Sequence, residues 1–319
     1  MKRLVLLVVV AATAFGCTSE EPVTLTLISH DSFAEAVTEE TFAAFTAETG
    51  VAVKVLAAGD AGAMVNQAIL TRENPLADVL FGVDDTFLQR AVDAQIFGGE
   101  VSAIDYGDVC INYDREAFTA NPPPETLDDL TLMADQLVVE DPSLSSPGLA
   151  FLLATIDRYG PEWQKYWAEL RQNGVLVAPG WSEAYYGEFS GGAGEGDRPL
   201  VVSYASSPPA EVIFADPPVE EPPTAVMTDG CYRQTEFAGV LAGTAHPDES
   251  RQLIDFMLSV PFQETIPLTW FVYPINEEAA LPPAFVENTA VPNDPVQMDP
   301  ATIDENREQW LEEWSEIFG

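Results

Sequence analysis

From residue 23 onward, short runs of β-branched and aliphatic residues alternate with stretches whose apolar positions recur at helical spacing, which restricts the chain to an α/β architecture. Residues 23–29 read as a strand, 37–49 as a helix with Phe42 and Phe45 on one side, and 51–56 as the next strand. Asp60 is placed to cap a helix over 61–72, and a third strand at 77–81 leads into a helix that begins at Asp84. Three β-α units in succession predict a mostly parallel sheet with helices on both faces. In such sheets ligands bind beyond the carboxyl ends of the strands, here residues 30–32, 57–60 and 82–85.

A second α/β region follows Tyr106-Gly107, with strands predicted at 137–139, 175–177 and 199–203 and helices at 148–159, 162–173 and 181–190. Residues 215–224 hold four prolines and three acids and read as a surface excursion. A strand at 234–241 and a helix at 247–258 then return the chain to the first region. Residues 280–300 are Pro-rich and read as extended, and 304–317 form an amphipathic helix with Trp310 and Trp314. The expected fold is bilobal and periplasmic-binding-protein-like, with two mixed-sheet α/β lobes joined by a hinge. Lobe 1 takes residues 22–106 and 233–279, lobe 2 takes 107–232, and 280–319 is left without a lobe.

The N-terminus sets the compartment. Lys2 and Arg3 precede an apolar run of 12 residues, 4–15, and a membrane-spanning helix needs about 20, so residues 1–16 read as a secretory signal peptide. Cys17, just after Gly16, resembles the acylated cysteine of a bacterial lipobox, which predicts a lipid anchor on the membrane; the alternative is an ordinary signal peptide cut near Cys17. The remaining Cys110 and Cys231 are an even pair in an oxidising compartment, so a disulfide is expected. The competing reading makes Cys110 a nucleophile.

Charge narrows the function. With 13 Lys plus Arg against 52 Asp plus Glu the formal net charge is −39, and no basic footprint is left for nucleic acid. Disorder is excluded by 17 Phe, 9 Tyr and 6 Trp, enough to fill a real core. The acidic excess suits a solvated surface and favours approach of a cationic solute. His30 and His246 are the two histidines and stand in no metal-ligand spacing, with Tyr185-Tyr186 the nearest candidate for iron; no metal or cofactor is expected. Neither Gly-x-Ser-x-Gly nor Gly-x-x-x-x-Gly-Lys occurs.

Several segments together resemble the thiamine-binding proteins of bacterial thiamine ABC transporters. They are residues 30–33 (His-Asp-Ser-Phe), 77–84, 105–107, 141–142 with 145–149 (Ser-Ser-Pro-Gly-Leu), 180–185 (Gly-Trp-Ser-Glu-Ala-Tyr), 203–204 with 206–208, and 273–274. They run in family order over most of the chain beyond the signal. The family often has Tyr where His30 stands, is less acidic, and does not generally carry the cysteine pair.

The resemblance implies a thiamine-binding cleft and delivery of thiamine, or its phosphates, to ABC permease subunits, by a monomer that is not an enzyme. It assigns ligand contact to Asp60, Ala61, Ser145, Ser146, Trp181, Tyr204, Ala205, Ser206 and Ser207. Trp181 and Tyr204 would offer aromatic faces to the thiazolium cation, and the residues at 145–146 would offer hydroxyls and helix N–H groups to the hydroxyethyl or phosphate end. Plain capping explains Asp60 and Ser145-Ser146 as well. His30, Asp31, Asp84, Trp270 and Phe271 are further candidates, with Trp270 and Phe271 competing for one aromatic wall. Two alternatives stay open: a thiaminase-like enzyme using Cys110, and a binder of another cation such as a polyamine.

Overall fold

A computed structural model describes residues 23–319; the signal segment and Cys17 lie outside the described residues. Its strands are β1 (Thr24–Ser29), β2 (Ala52–Ala57), β3 (Val79–Asp84), β4 (Ser102–Asp114), β5 (Leu137–Glu140), β6 (Leu176–Ala178), β7 (Leu200–Tyr204), β8 (Thr224–Val240) and β9 (Tyr273–Pro274). They pair in the order β2-β1-β3-β8-β4-β7-β5-β6, with β9 on β4. The β-α units read from the sequence make the two ends: β2, β1 and β3 run parallel, and so do β7, β5 and β6. Between them β4 and β8 run antiparallel to each other. In β1 the alternation of Leu25 and Leu27 with threonines buries one set of side chains, whereas β3 is buried along its whole length beneath helices.

Two lobes follow from which half of each long strand is used. The end of β8 from Glu236 to Val240 pairs with β3, and the segment of β4 from Val109 to Tyr113 pairs with β7. The chain was expected to cross between lobes near residues 106 and 232, and there the two strands lie side by side, with Tyr106 opposite Thr235 and Val109 opposite Tyr232. β4 was not predicted and β8 only from residue 234, because Asp105, Gly107 and Asp108 interrupt the apolar alternation of the first and Asp229, Gly230 and Arg233 that of the second. Partners for the acids of β4 come from far along the chain: Arg233 clamps Asp108 with two bonds of 2.8 and 2.9 Å, and Trp270 Nε1 donates to one oxygen of Asp105 at 3.0 Å while the other is buried without a partner.

One core, with Leu25, Leu27, Phe33, Phe45 and Phe81, lies on one face of the first lobe. A larger one runs through both lobes, from Met64 and Phe87 through Leu149 and Trp167 to Trp314. Each such fully buried side chain contributes about 1.5–3 kcal/mol relative to exposure. The C-terminal helix, Pro300–Phe318, bridges the lobes. On one side Arg307 donates to the Thr86 carbonyl at 3.3 Å; on the other Trp314 packs edge-on to Trp167 with ring centroids 5.7 Å apart. The tail read as extended contains a short helix, Pro283–Asn288, with proline in its first turn where a missing N–H does no harm. The helix expected over 37–49 is broken into a 3₁₀ turn Glu39–Phe42 and Ala43–Thr49, and a further short helix, Asp31–Ala36, precedes it unpredicted.

The expected Cys110–Cys231 disulfide is present, with an S–S distance of 2.02 Å between neighbouring strands. It packs against Ala205. No helix among the described residues is long and apolar enough to cross a membrane.

Candidate ligand-binding cleft

The carboxyl ends of β1 and β3 and the start of helix Ala61–Leu70 face, across the gap between lobes, the start of helix Ser146–Tyr159, the turn after β6 and the end of β7. A cavity of about 220 Å³ lies between them. From the first lobe it is lined by His30, Ser32, Glu35, Ala36, Asp60, Ala61, Glu236, Thr269, Trp270, Phe271 and Val272; from the second, by Ser146, Pro147, Trp181, Tyr186 and Tyr204.

His30 ends β1 and caps the short helix after it, its Nδ1 accepting from the Phe33 N–H at 3.2 Å. Its Nε2 stands 3.2 Å from Glu236 Oε1. The ring fits because residue 82 is glycine: a Cβ there would come 2.3 Å from His30 Cδ2, and the backbone sits at φ +94. Burial pulls the imidazole pKa down, but the Glu236 carboxylate, joined by Asp60 and Asp84, outweighs it and raises the value above normal.

Asp60 accepts from the Ala61 N–H at 2.8 Å. Burial raises its pKa against the opposing pull of His30. Further acids stand behind this wall. Burial, with Asp85 beside it, pushes Asp84 up to about 7, and burial pushes Asp85 up to about 6 against the N–H of Thr235 and the hydroxyl of Tyr232. Burial followed by the nearby Glu236 drives Asp105 well upward, and burial does the same to Glu140. The raised values hold these buried groups toward their neutral, protonated forms, so they add less negative charge than their number suggests.

The second wall is aromatic. The indole of Trp181 stacks on Tyr185 with centroids 5.1 Å apart, meets Tyr186 edge-on at 5.4 Å, and donates from Nε1 to Ser203 Oγ at 2.9 Å. These contacts fix a flat ring at the cavity edge. The helix expected over 181–190 is a π-helical turn, Glu183–Glu188, which turns Tyr186 toward the cleft beside Trp181. Gly180 lets the lobes meet: a Cβ on it would lie 2.8 Å from Asp60 Oδ2. Tyr204, at the end of β7, donates to Gln234 Oε1 at 3.3 Å.

Of the residues singled out from sequence, His30, Asp60, Ala61, Ser146, Trp181, Tyr204, Trp270 and Phe271 line the cavity, so both aromatic competitors reach it. Asp31 borders an adjoining groove shared with Ser32, Asp60 and Trp181. Ser145, Ser206 and Ser207 are buried beneath the surface, and Ala205 sits on the disulfide. Asp84 is fully buried and caps helix Asp85–Asp93 by accepting from the Thr86 and Phe87 N–H groups. Glu236, Glu35, Ser32 and Tyr186 were missed. The signal for Glu236 was an acid directly before the apolar end of β8, Phe237–Val240. Among the described residues no group of three or more His, Cys, Asp or Glu side chains is placed to hold a metal.

A two-lobed α/β clamp with an enclosed cleft at the strand ends is the architecture of a solute-binding protein. The family model for bacterial extracellular solute-binding proteins matches residues 95–295, and the chain belongs to that family. Thiamine-binding periplasmic proteins of Salmonella typhimurium and Escherichia coli are 31% and 30% identical to it, each alignment covering 98% of this chain and 97% of the relative. A solved periplasmic thiamin binding protein superposes with a TM-score of 0.82 at 28% identity, over 93% of this chain and 96% of the other. Iron-bound HitA from Pseudomonas aeruginosa, at a TM-score of 0.71 and 21% identity over 93% of this chain and 99% of the other, shares the fold.

Proposed function

We propose that this chain captures thiamine outside the cytoplasmic membrane and delivers it to an ABC permease, acting as a monomer held to the membrane by an acylated Cys17. One observation carries the reading. The cleft is lined by three carboxylates, Glu35, Asp60 and Glu236, and by aromatic rings from both lobes, with no Lys or Arg among the described lining residues. Thiamine joins a permanent thiazolium cation to a flat aminopyrimidine, and a cation over an aromatic face gains roughly 0.5–2 kcal/mol, more when water is excluded. The thiamine-binding relatives support the same ligand. In the mechanism, ligand enters the open cleft, lies against Trp181 and Tyr204, and is enclosed as Gly180 closes on Asp60. The enclosed form then docks on the permease.

The thiaminase-like alternative loses its nucleophile, because Cys110 is bridged to Cys231 and has no thiolate to offer. Titration calorimetry of the mature protein with thiamine and with spermidine tests the proposal, with mass spectrometry of the ligand afterwards. Stoichiometric binding of intact thiamine is expected. Cleaved thiamine points to an enzyme, and preference for spermidine points to a polyamine carrier.

A further inference from the structure

Phe271 breaks a local rule. It follows helix Ile266–Thr269, donates its N–H to the Ile266 carbonyl at 3.3 Å, and sits in the left-handed region at φ +63. Glycine is the usual residue at such a helix end, as Gly50 is after helix Ala43–Thr49, because a Cβ is crowded there. Among the described residues other than glycine, only Gln95 shares a positive φ. A bulky ring persists in this conformation when its contacts compensate for the strain. Trp270, one position earlier, turns inward onto Phe33 and Phe262. Phe271 instead lines the cavity and meets the ring of Phe214 edge-on, with centroids 5.1 Å apart and planes inclined by 66°.

Phe214 belongs to the other lobe. It ends helix Ser207–Ile213, with its N–H donated to the Ala210 carbonyl at 3.0 Å, just before the Pro-rich excursion. The same helix carries Glu211, whose Oε1 accepts from the Tyr185 hydroxyl at 2.7 Å, and Tyr185 stacks on Trp181. Phe214 is therefore tied to the aromatic wall. Its ring is not part of the cavity lining and 56% of the residue is exposed, yet it borders a groove of the first lobe beside Thr41, Phe262 and Leu268. The ring pair thus stands between cavity and solvent, one partner from each lobe.

We propose that Phe214 and Phe271 form an apolar clasp across the cleft, and that Phe214 is a positioning residue that slows ligand release without touching the ligand. The inference rests on the thiamine reading above. Opening the lobes parts the rings and returns both to water, so the clasp adds to the barrier for release. A ligand arriving at the open cleft meets no clasp, and its association is unaffected.

Stopped-flow measurements of thiamine association and release on the mature wild type, Phe214→Ala, Phe271→Ala and the double variant test this. Phe214→Ala should release thiamine about threefold to tenfold faster, the range one edge-on aromatic pair supplies, with association within about twofold of wild type. Phe214→Leu, which keeps apolar bulk without the ring, should fall between the two. With Phe271 already alanine, loss of Phe214 should change release less than about twofold. A wild-type release rate in Phe214→Ala, or equal acceleration in both backgrounds, overturns the clasp and spares the thiamine reading. If Phe271→Ala does not fold, the single Phe214→Ala decides. If the wild type binds no thiamine, that reading falls, and small-angle scattering of the unliganded proteins decides the clasp: a larger radius of gyration in Phe214→Ala upholds it, and identical curves overturn it.

Discussion

Every charged side chain lining the cleft comes from the first lobe: His30, Glu35, Asp60 and Glu236. The second lobe contributes Ser146, Pro147, Trp181, Tyr186 and Tyr204, none of them charged. The two walls therefore act at different moments. A carboxylate attracts a cation across water before contact, so the first wall governs arrival. A stacked ring works only when the ligand is desolvated against it, so the second wall governs how long the ligand stays.

The largest expected effect comes from the second wall. Trp181→Ala should weaken thiamine at least about tenfold, equivalent to about 1.4 kcal/mol, almost entirely through faster release in stopped-flow measurements. An unchanged release rate would break the division between the walls. Next is the first wall. Asp60→Asn keeps a residue able to cap helix Ala61–Leu70 and should cost about threefold to fivefold in affinity, mainly in the association rate and with a flattened dependence on salt. Equal salt dependence in wild type and variant would show that Asp60 does not steer the ligand.

A smaller effect is expected from pH. As pH rises, His30 and Asp60 both lose protons at raised pKa values, the first wall becomes more negative, and thiamine affinity should rise about threefold between pH about 5.5 and about 8. Stability moves the other way. Asp84 and Asp85 bind protons more tightly folded than unfolded, so the stability they lend is present in mild acid and lost as pH climbs through about 6 and about 7. The raised His30 adds a contribution of the same sign, lost as pH passes its folded value. The unliganded protein should melt at a higher temperature near pH 5.5 than near pH 8, the opposite of the affinity trend. Parallel trends in melting and affinity would contradict the charge assignment.

The smallest effect on binding concerns the disulfide, which sits outside the cleft behind Ala205. Reduction should change thiamine affinity less than about twofold, yet lower the melting temperature by several degrees, since bridging a loop of 121 residues stabilises by up to about 4–5 kcal/mol in chain-entropy terms. Two titratable thiols in the oxidised native protein, with an unaltered melt, would remove the bridge.

The outer strands and their helices were legible because their signals are local: alternation in β1, an acid before helix Ala61–Leu70, a glycine-tryptophan turn before the aromatic wall. The centre of the sheet was not. β4 and β8 carry acids within their span that only long-range partners, Arg233 and Trp270, make tolerable, and a reading by periodicity stops at such residues. Glu236 left a local signal, an acid before the apolar end of β8, but its partner His30 is more than two hundred positions away in the chain and nothing nearby gave that signal a meaning. Burial of Ser145, Ser206 and Ser207 beneath the cleft surface is likewise a matter of packing that one sequence does not encode locally.

The C-terminal helix across both lobes has an optical consequence. Of the six tryptophans, Trp181 and Trp270 line the cleft, while Trp163, Trp167, Trp310 and Trp314 belong to the core gathered around that helix. Intrinsic fluorescence thus holds two independent reporters. Stacking of a bound ring quenches the cleft pair, and any shift of one lobe against the other disturbs the second group. Replacing Trp181 and Trp270 with phenylalanine would leave a protein whose emission follows the hinge alone, and replacing the other four would leave one that sees only the ligand.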